Sequence, residues 1–257
     1  MAVDLVFSET GAGSPLVILH GLFGAKRNWS SIARWLGRQH RVLTVDLRNH
    51  GESPWDPCHD YAALADDVAR VIETHVGGPA AVLGHSMGGK AAMVLALSRP
   101  QLVDRLVVVD IAPARSTGTL INALQAMKAV PLTAGMRRAD VEAALGDAIP
   151  DRAVRAFLAS NIRTAPDGLE WAVNLDALER HFDTILGFPE IPPGQRFTGP
   201  TLFLLGGRSE YVRPEHHAEI RRLFPAAAIE AIDGAGHWVH AEAPVPFVEA
   251  VSRFLAP

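Results

Sequence analysis

Six short apolar runs, each followed by a helix-like segment, constrain what this chain of 257 residues can fold into. The runs are continuously apolar, which is typical of strands that helices cover on both faces. This alternation predicts an α/β fold with a mostly parallel, doubly wound sheet. The runs cover residues 16–19, 41–46, 80–84, 105–110, 201–205 and 228–232. Residues 3–8 alternate between apolar and polar instead, which predicts an antiparallel edge strand.

The alternation stops between residues 113 and 197, where no strand-like run occurs. A connection of roughly 80 residues is too long for a plain loop in a compact domain. Its composition indicates helices separated by prolines, lying over the carboxyl edge of the sheet, where such folds bind ligands. We therefore predict a core of residues 1–112 and 198–257 with a helical insertion, the cap segment (residues 113–197).

Composition excludes several classes of function. Lysine and arginine number 24 against 28 acidic residues, a net charge of −4, so no basic surplus exists to bind nucleic acid. One cysteine, Cys58, allows neither an internal disulfide nor a cysteine zinc site, and we expect no metal. No apolar run approaches the ~18 residues of a membrane span, and the first ten residues lack the pattern of a signal peptide. A cytoplasmic location is expected.

The sequence Gly84-His85-Ser86-Met87-Gly88 follows one predicted strand and opens a predicted helix. A nucleophilic serine needs this context, because the sharp strand-to-helix turn exposes its hydroxyl while the flanking glycines relieve crowding. The start of the helix also offers free N–H groups and the positive end of its dipole. The motif therefore predicts Ser86 as a catalytic nucleophile.

A serine nucleophile needs a nearby base, and we predict His237 for this role. It follows the last predicted strand in a loop of small residues, and a histidine late in the chain is the order expected for this kind of nucleophile. His240 is expected to pack or cap a helix, and the side chain of His85 is expected to point away from the serine hydroxyl. The pair His216 and His217 is expected on the surface.

The sequence His20-Gly21-Leu22-Phe23-Gly24 ends the first buried strand. Its glycines allow backbone N–H groups to turn towards the site and stabilise a developing oxyanion. Either Leu22 or Phe23 would supply one N–H group, and Met87 would supply the other.

Taken together, the motifs resemble the α/β-hydrolase superfamily, and within it the bacterial YbfF-type esterases and eukaryotic ABHD11-like hydrolases. The segments that carry the resemblance are residues 20–24, 46–53, 84–90, 109–113, 171–176 and 234–242. The implied fold is a mostly parallel eight-stranded sheet flanked by helices, with a helical cap insertion. The implied activity is that of a serine esterase or thioesterase without a cofactor, with its acyl pocket beneath the cap.

The acid that orients the histidine has two candidates. Many α/β-hydrolases place it after the strand predicted at residues 201–205, which indicates Glu210. The resembled branch places it one core strand earlier, which indicates Asp110, the residue we favour. The loop Arg48-Asn49-His50-Gly51 is expected to brace the active edge of the sheet rather than to contact substrate.

We therefore predict hydrolysis of small-molecule carboxylic esters or acyl thioesters through an acyl-enzyme, with Ser86, Asp110 and His237 as the triad. Apolar cap residues are expected to bind an apolar acyl or aryl group, namely Leu124, Met127, Leu132 and Phe157. Three alternatives would use the same triad: a carbon–carbon bond hydrolase, a cofactor-free perhydrolase, and a ligand-binding receptor with slow turnover.

Overall fold

The computed structural model describes residues 1–116, 120–133, 135–166 and 168–256. Seven strands of this part form one sheet in the order β1-β3-β2-β4-β5-β8-β9, and β6 pairs with β7 separately. Strand β1 is antiparallel to β3, and all other neighbours in the large sheet are parallel, as predicted. The strands are β1 Phe7–Thr10, β2 Ser14–Leu19, β3 His40–Val45, β4 Ala80–His85, β5 Val103–Val109, β6 Ile162–Ala165, β7 Gly168–Trp171, β8 Thr201–Gly206 and β9 Ala227–Ile232.

Helices cover both faces of the sheet and form most of the regular secondary structure described in the cap segment. The α-helices are α1 Ser30–Leu36, α2 Tyr61–Val71, α3 Met87–Ser98, α4 Leu120–Ala129, α5 Arg138–Ala144, α6 Arg152–Ala159, α7 Leu175–Arg180, α8 Phe182–Leu186, α9 His217–Leu223, α10 Val239–Glu242 and α11 Pro244–Leu255. Short 3₁₀ turns lie at Lys26–Trp29, Pro100–Leu102 and Pro214–His216, and Ile72–Val76 continues α2 as a π-helical turn. Strands β4 and β8 are buried along their whole length, as the continuous apolar runs predict.

The large sheet has seven strands in the described residues, and the expected count of eight was wrong. The strand predicted at residues 3–8 begins only at Phe7, and two backbone N–H groups ahead of it bond to side chains. Val3 donates to Asp67 Oδ1 at 2.7 Å, and Val6 donates to Ser53 Oγ at 2.8 Å. These two donors are therefore not available to pair with a further strand, and β1 is the edge strand of the sheet.

The cap segment is not wholly helical, and the prediction that it contains no strand was wrong for residues 162–171. Strands β6 and β7 pair there as an antiparallel hairpin in which Ile162 lies opposite Trp171. Each strand has only four residues, so its alternation is too short to stand out from the surrounding helical pattern. The division of the chain into a core and a cap stays a prediction.

Two buried core side chains hold the end of helix α8 against the core. Lys90 of α3 donates to the carbonyl oxygens of Leu186 and Gly187, each at 2.6 Å. Tyr61 of α2 donates its hydroxyl to the carbonyl oxygen of Ile185 at 2.6 Å. These bonds satisfy carbonyl groups that a helix end leaves without partners, and they fix the cap segment over α2 and α3.

A buried ion pair fixes the loop that follows β3. Arg48 and Asp67 are both fully buried, and the guanidinium binds the carboxylate through two bonds, at 2.6 Å and 2.7 Å. Arg48 also donates to the carbonyl oxygens of Cys58 at 3.2 Å and Met1 at 3.2 Å. Residues 48–51 are therefore anchored to α2, which supports the expected bracing role of this loop.

We expect the substitution Arg48→Met to lower the free energy of unfolding by about 3–5 kcal/mol, because it leaves the carboxylate of Asp67 buried without a counter-ion. Urea denaturation measures the loss. The matched control is Arg41→Met, which breaks an exposed pair with Glu9 and should cost at most about 1 kcal/mol. Equal losses in the two variants would contradict the role assigned to Arg48.

Candidate active site

Four neighbouring strands lead into strained backbone at the same edge of the sheet. Among the described residues, the non-glycine positions with left-handed φ are Phe23 at 59°, Asn49 at 65°, Ser86 at 52° and Asp110 at 50°. They follow β2, β3, β4 and β5, respectively. Such strain costs roughly 1–3 kcal/mol at each position and concentrates at functional sites. This edge is therefore the candidate site.

The predicted nucleophile Ser86 occupies the turn between β4 and α3, with φ 52° and ψ −118°. Neighbouring backbone leaves no room for side chains at the two glycines of the motif. A Cβ atom at Gly84 would lie 2.2 Å from the carbonyl oxygen of Gly88, and one at Gly88 would lie 2.5 Å from that of His20. The glycines thus permit the sharp turn for the reason given from sequence.

Asp110 and His237, which are far apart in sequence, meet through a hydrogen bond of 2.7 Å from Nδ1 to Oδ2. The carboxylate is fully buried and also accepts the N–H of Gly206 at 3.0 Å and the hydroxyl of Ser209 at 2.5 Å. Because Asp110 binds Nδ1, the remaining nitrogen of the neutral ring, Nε2, is the one that can accept a proton.

Two further residues hold His237 in place. The ring of Tyr211 stacks on it with centroids 3.8 Å apart and an angle of 15°. His85 donates from Nε2 to the backbone carbonyl oxygen of His237 at 2.9 Å. Burial lowers the pKa of His85 well below 6.5, so this ring acts as a neutral support. Tyr211 was not predicted from the sequence. Its only signal there is its position two residues after Ser209, which bonds to Asp110.

Ser86 and His237 line one cavity of about 60 Å³. No hydrogen bond joins the Ser86 hydroxyl to His237 in the part of the chain that the structure describes. Hydrogen bonds between catalytic groups are often long in ligand-free sites and shorten when substrate binds. The two side chains therefore face the same space.

The alternative acid, Glu210, lies away from this cluster. Its side chain is exposed and makes no hydrogen bond or ion pair with any described residue. Its neighbour Ser209 faces the site instead and bonds to Asp110. The structure brings Asp110, and not Glu210, to the histidine.

The two candidates for the first oxyanion donor differ in their partners. The N–H of Phe23 donates to His50 Nε2 at 3.3 Å, so it is already used. The N–H of Leu22 has no acceptor among the described residues. Met87 is the first residue of α3, and its N–H has no partner within the helix. Leu22 and Met87 are therefore the free donors, and Phe23 is not.

Four of the remaining histidines have no place in the Ser86–His237 pair. His240 is buried and stacks on Trp29 at 4.0 Å, which is the packing role expected from sequence. His216 and His217 lie where α9 begins and do not line the cavity. His20 lines the cavity and supports the backbone, because Nδ1 donates to the Gly21 carbonyl oxygen at 2.8 Å.

Of the four cap residues predicted to bind substrate, only Phe157 lines the Ser86 cavity. Leu124 and Met127 are fully buried in an apolar cluster that includes Leu178 of α7, whereas Leu120 and Ala123 are the residues of α4 that line the cavity. Leu132 lines a separate cleft beside Trp55. The cap residues that the prediction omitted are Leu120, Ala123, Val154 and Leu158.

A larger and mostly apolar cavity adjoins the one at Ser86. It has a volume of about 430 Å³ and lies between α6 and α10. Val154, Phe157 and Trp238 line both cavities, so these side chains form the boundary between them.

The sequence predicts neither a metal site nor a membrane-spanning segment. No cluster of three or more histidine, cysteine or acidic side chains in the described part of the chain could hold a metal ion. None of its helices combines the length and apolar character needed to cross a membrane. The cytoplasmic location stays a prediction.

Comparisons with a family model, with related sequences and with a solved structure all indicate a hydrolase. A family model described as alpha/beta hydrolase fold matches residues 14–244. The chain is 46% identical over 251 residues to the sn-1-specific diacylglycerol lipase ABHD11 of Mus musculus, covering 94% of this chain and 80% of that protein. It is 36% identical to the esterase YbfF of Escherichia coli (strain K12), covering 94% and 93%. The solved structure of a marine microorganism esterase matches with a TM-score of 0.95 and 34% identity, covering 99% of this chain and 100% of that one.

Proposed function

Because the chain belongs to the α/β-hydrolase family, we propose that it cleaves esters of apolar acyl groups through a covalent acyl-enzyme on Ser86. It is a carboxylic-ester hydrolase, the class of its relatives that are named lipase or esterase. The observation that carries the mechanism is the 2.7 Å hydrogen bond between Asp110 and His237 in a site that also holds the strained Ser86 turn.

In the proposed reaction, Oγ of Ser86 attacks the acyl carbon while Nε2 of His237 takes the hydroxyl proton. A tetrahedral intermediate collapses, the bond to the leaving oxygen breaks, and His237 returns the proton to the leaving alcohol. Water then repeats the sequence and releases the acid. The buried carboxylate of Asp110 holds the required tautomer and stabilises the imidazolium that forms at each step.

The negative oxygen of the intermediate would be bound by the N–H groups of Leu22 and Met87. These are the donors that the backbone leaves free, whereas Phe23 is engaged with His50. Loss of one such donor typically costs about 3–4 kcal/mol of transition-state stabilisation. A thioester could react in the same way, because its carbonyl oxygen develops the same charge.

The cavities indicate how the acyl group would be bound. The space at Ser86, about 60 Å³, admits only a short acyl segment. A longer apolar chain would continue past Phe157 into the cavity of about 430 Å³. The mouse relative is named for action on diacylglycerol, an ester with long apolar acyl chains, and we propose apolar carboxylic esters as the substrate class.

We expect Ser86→Ala to abolish labelling by a fluorophosphonate and to lower kcat/KM for p-nitrophenyl butyrate by about 10⁴-fold or more. The reason is that no other hydroxyl occupies the strained turn. Ser98→Ala, at the far end of α3, is the control and should retain parental activity.

Parental turnover by the Ser86→Ala protein would contradict the proposal. If the parent protein released one equivalent of product in a burst and then showed no steady turnover, the ligand-binding receptor with slow turnover would be favoured instead. Turnover of a vinylogous diketone or halide-dependent peroxidation, without ester cleavage, would favour the other two alternatives.

We expect Asp110→Asn to lower kcat by roughly 10³–10⁴-fold, because the amide favours the wrong tautomer of His237. Glu210→Gln should leave kcat near the parental value, since that side chain is exposed. Steady-state kinetics of both variants with one activated ester make the comparison. The assignment of the acid would be wrong if the order of the two losses were reversed.

We expect Phe157→Ala to raise kcat/KM for p-nitrophenyl octanoate relative to p-nitrophenyl acetate by about tenfold, because it widens the passage between the cavities. Leu132→Ala is the matched control, since Leu132 lines the separate cleft. A chain-length series on the three proteins gives the ratio. An unchanged ratio in Phe157→Ala would remove this residue from the acyl path.

A further inference from the structure

The loop that carries the first oxyanion donor is a tight turn from Gly21 to Gly24. The N–H of Gly24 donates to the carbonyl oxygen of Gly21 at 2.9 Å. The third residue of the turn, Phe23, has a φ of 59°, which is the type II pattern. Glycine or asparagine usually occupies that position, because a bulky side chain is strained there. The turn therefore depends on outside contacts to keep this geometry.

The peptide group that presents the Leu22 N–H is held by its carbonyl end. The carbonyl oxygen of Gly21 accepts both the N–H of Gly24 at 2.9 Å and Nδ1 of His20 at 2.8 Å. Because a peptide group is planar, fixing the carbonyl oxygen on one side fixes the N–H on the other. The N–H of Leu22 is thereby left free of protein partners.

The strained residue Phe23 is bound at both of its backbone polar groups. Its N–H donates to Nε2 of His50 at 3.3 Å, and its carbonyl oxygen accepts Nδ2 of Asn161 at 2.6 Å. His50 belongs to the core loop after β3, whereas Asn161 belongs to the cap segment between α6 and β6. One residue of the turn is thus held from two directions by two different parts of the chain.

His50 suits this role because its ring has one fixed arrangement of protons. Nδ1 donates to the carbonyl oxygen of Arg48 at 3.0 Å, so Nε2 must accept from Phe23. Burial lowers the pKa of His50 to about 3, which keeps that nitrogen free to accept. A backbone bridge joins His50 to Val173 of the cap segment.

Asn161 is fully buried, and its own polar groups are all occupied. Oδ1 accepts Nη2 of Arg27 at 3.3 Å, and the backbone carbonyl oxygen accepts the N–H of Ala172 at 2.6 Å. Its N–H donates to the carbonyl oxygen of Leu158 at 3.0 Å. The side chain therefore cannot turn away from Phe23 without leaving buried groups unpaired.

We propose that Asn161 and His50 are positioning residues for the oxyanion hole. The docked cap segment holds the Leu22 N–H in its binding orientation through the hydrogen bond from Asn161 to the Phe23 carbonyl oxygen. The proposal rests on the function proposed above and adds to it. The cap segment is then part of the catalytic apparatus as well as a cover over the acyl group. Neither residue touches the substrate; each acts through the backbone of the turn.

The test replaces Asn161, the residue of the cap segment that donates to Phe23. Asn161→Asp keeps an oxygen for Arg27 but removes the N–H donor to Phe23. Asn161→Ala removes both the oxygen and the N–H donor. Tyr61→Phe is the matched control, because it removes a different hydrogen bond between core and cap, the one to Ile185. Each protein is assayed for kcat with p-nitrophenyl acetate and for its thermal unfolding midpoint.

Two inhibitors separate oxyanion binding from general binding. An aliphatic trifluoromethyl ketone adds to the serine hydroxyl and forms an oxyanion, whereas the matching secondary alcohol cannot. We expect both Asn161 variants to lower kcat at least about tenfold and to weaken the ketone by a similar factor. Binding of the alcohol should stay within about twofold, and Tyr61→Phe should change neither kcat nor ketone binding by more than about twofold.

The inference is overturned if Asn161→Asp keeps kcat and ketone binding near the parental values. It is also overturned if the alcohol weakens as much as the ketone, which would indicate a general distortion of the cavity. If Asn161→Ala does not fold, Asn161→Asp alone decides. Fluorophosphonate labelling of the parent separates the two proposals: an unlabelled parent refutes the proposed function, whereas a labelled parent with unaffected variants refutes only this inference.

Discussion

The close approach of helix α3 to the ends of β2 and β4 is the constraint on which the site depends. The backbone at Gly88 lies so near β2 that a Cβ atom there would be 2.5 Å from the His20 carbonyl oxygen. Because the helix starts this close to the sheet, the chain must turn within one residue, and Ser86 takes the left-handed φ of 52°. Packing therefore supplies both the serine side chain that lines the cavity and the free N–H groups at the helix start.

Buried neutral histidines provide the polar framework around this turn. His20, His50, His59 and His85 are all buried, and burial lowers the pKa of each below 6.5. A neutral imidazole can donate from one nitrogen and accept at the other, so it pairs with backbone or side-chain groups without introducing a buried charge. His237 instead bonds through Nδ1 to a carboxylate, that of Asp110. The partner, and not the residue type, separates the proposed base from its neighbours.

Local motifs were enough to predict the parallel sheet and the strained turn at Ser86, because their causes lie within a few residues. The pairing of Asp110 with His237 followed from strand order and resemblance. The choice between Leu22 and Phe23 could not be made from sequence, since it depends on His50, 27 residues away, accepting one N–H. The cap was predicted least well: helical periodicity identified an apolar face on α4, but not which turn of that face meets the cavity.

Hydrogen bonds, and not apolar packing alone, set how the cap segment lies on the core. Asn174 donates its N–H to the Asn49 carbonyl oxygen at 2.9 Å and its side-chain amide to Asn49 Oδ1 at 3.0 Å. Lys90 and Tyr61 bind the other end of the segment. Such bonds are directional, and separating them would leave buried polar groups unpaired, whereas apolar surfaces tolerate sliding. The acyl pocket proposed between the cap segment and the rest of the chain needs a single docked orientation, and these polar contacts favour one.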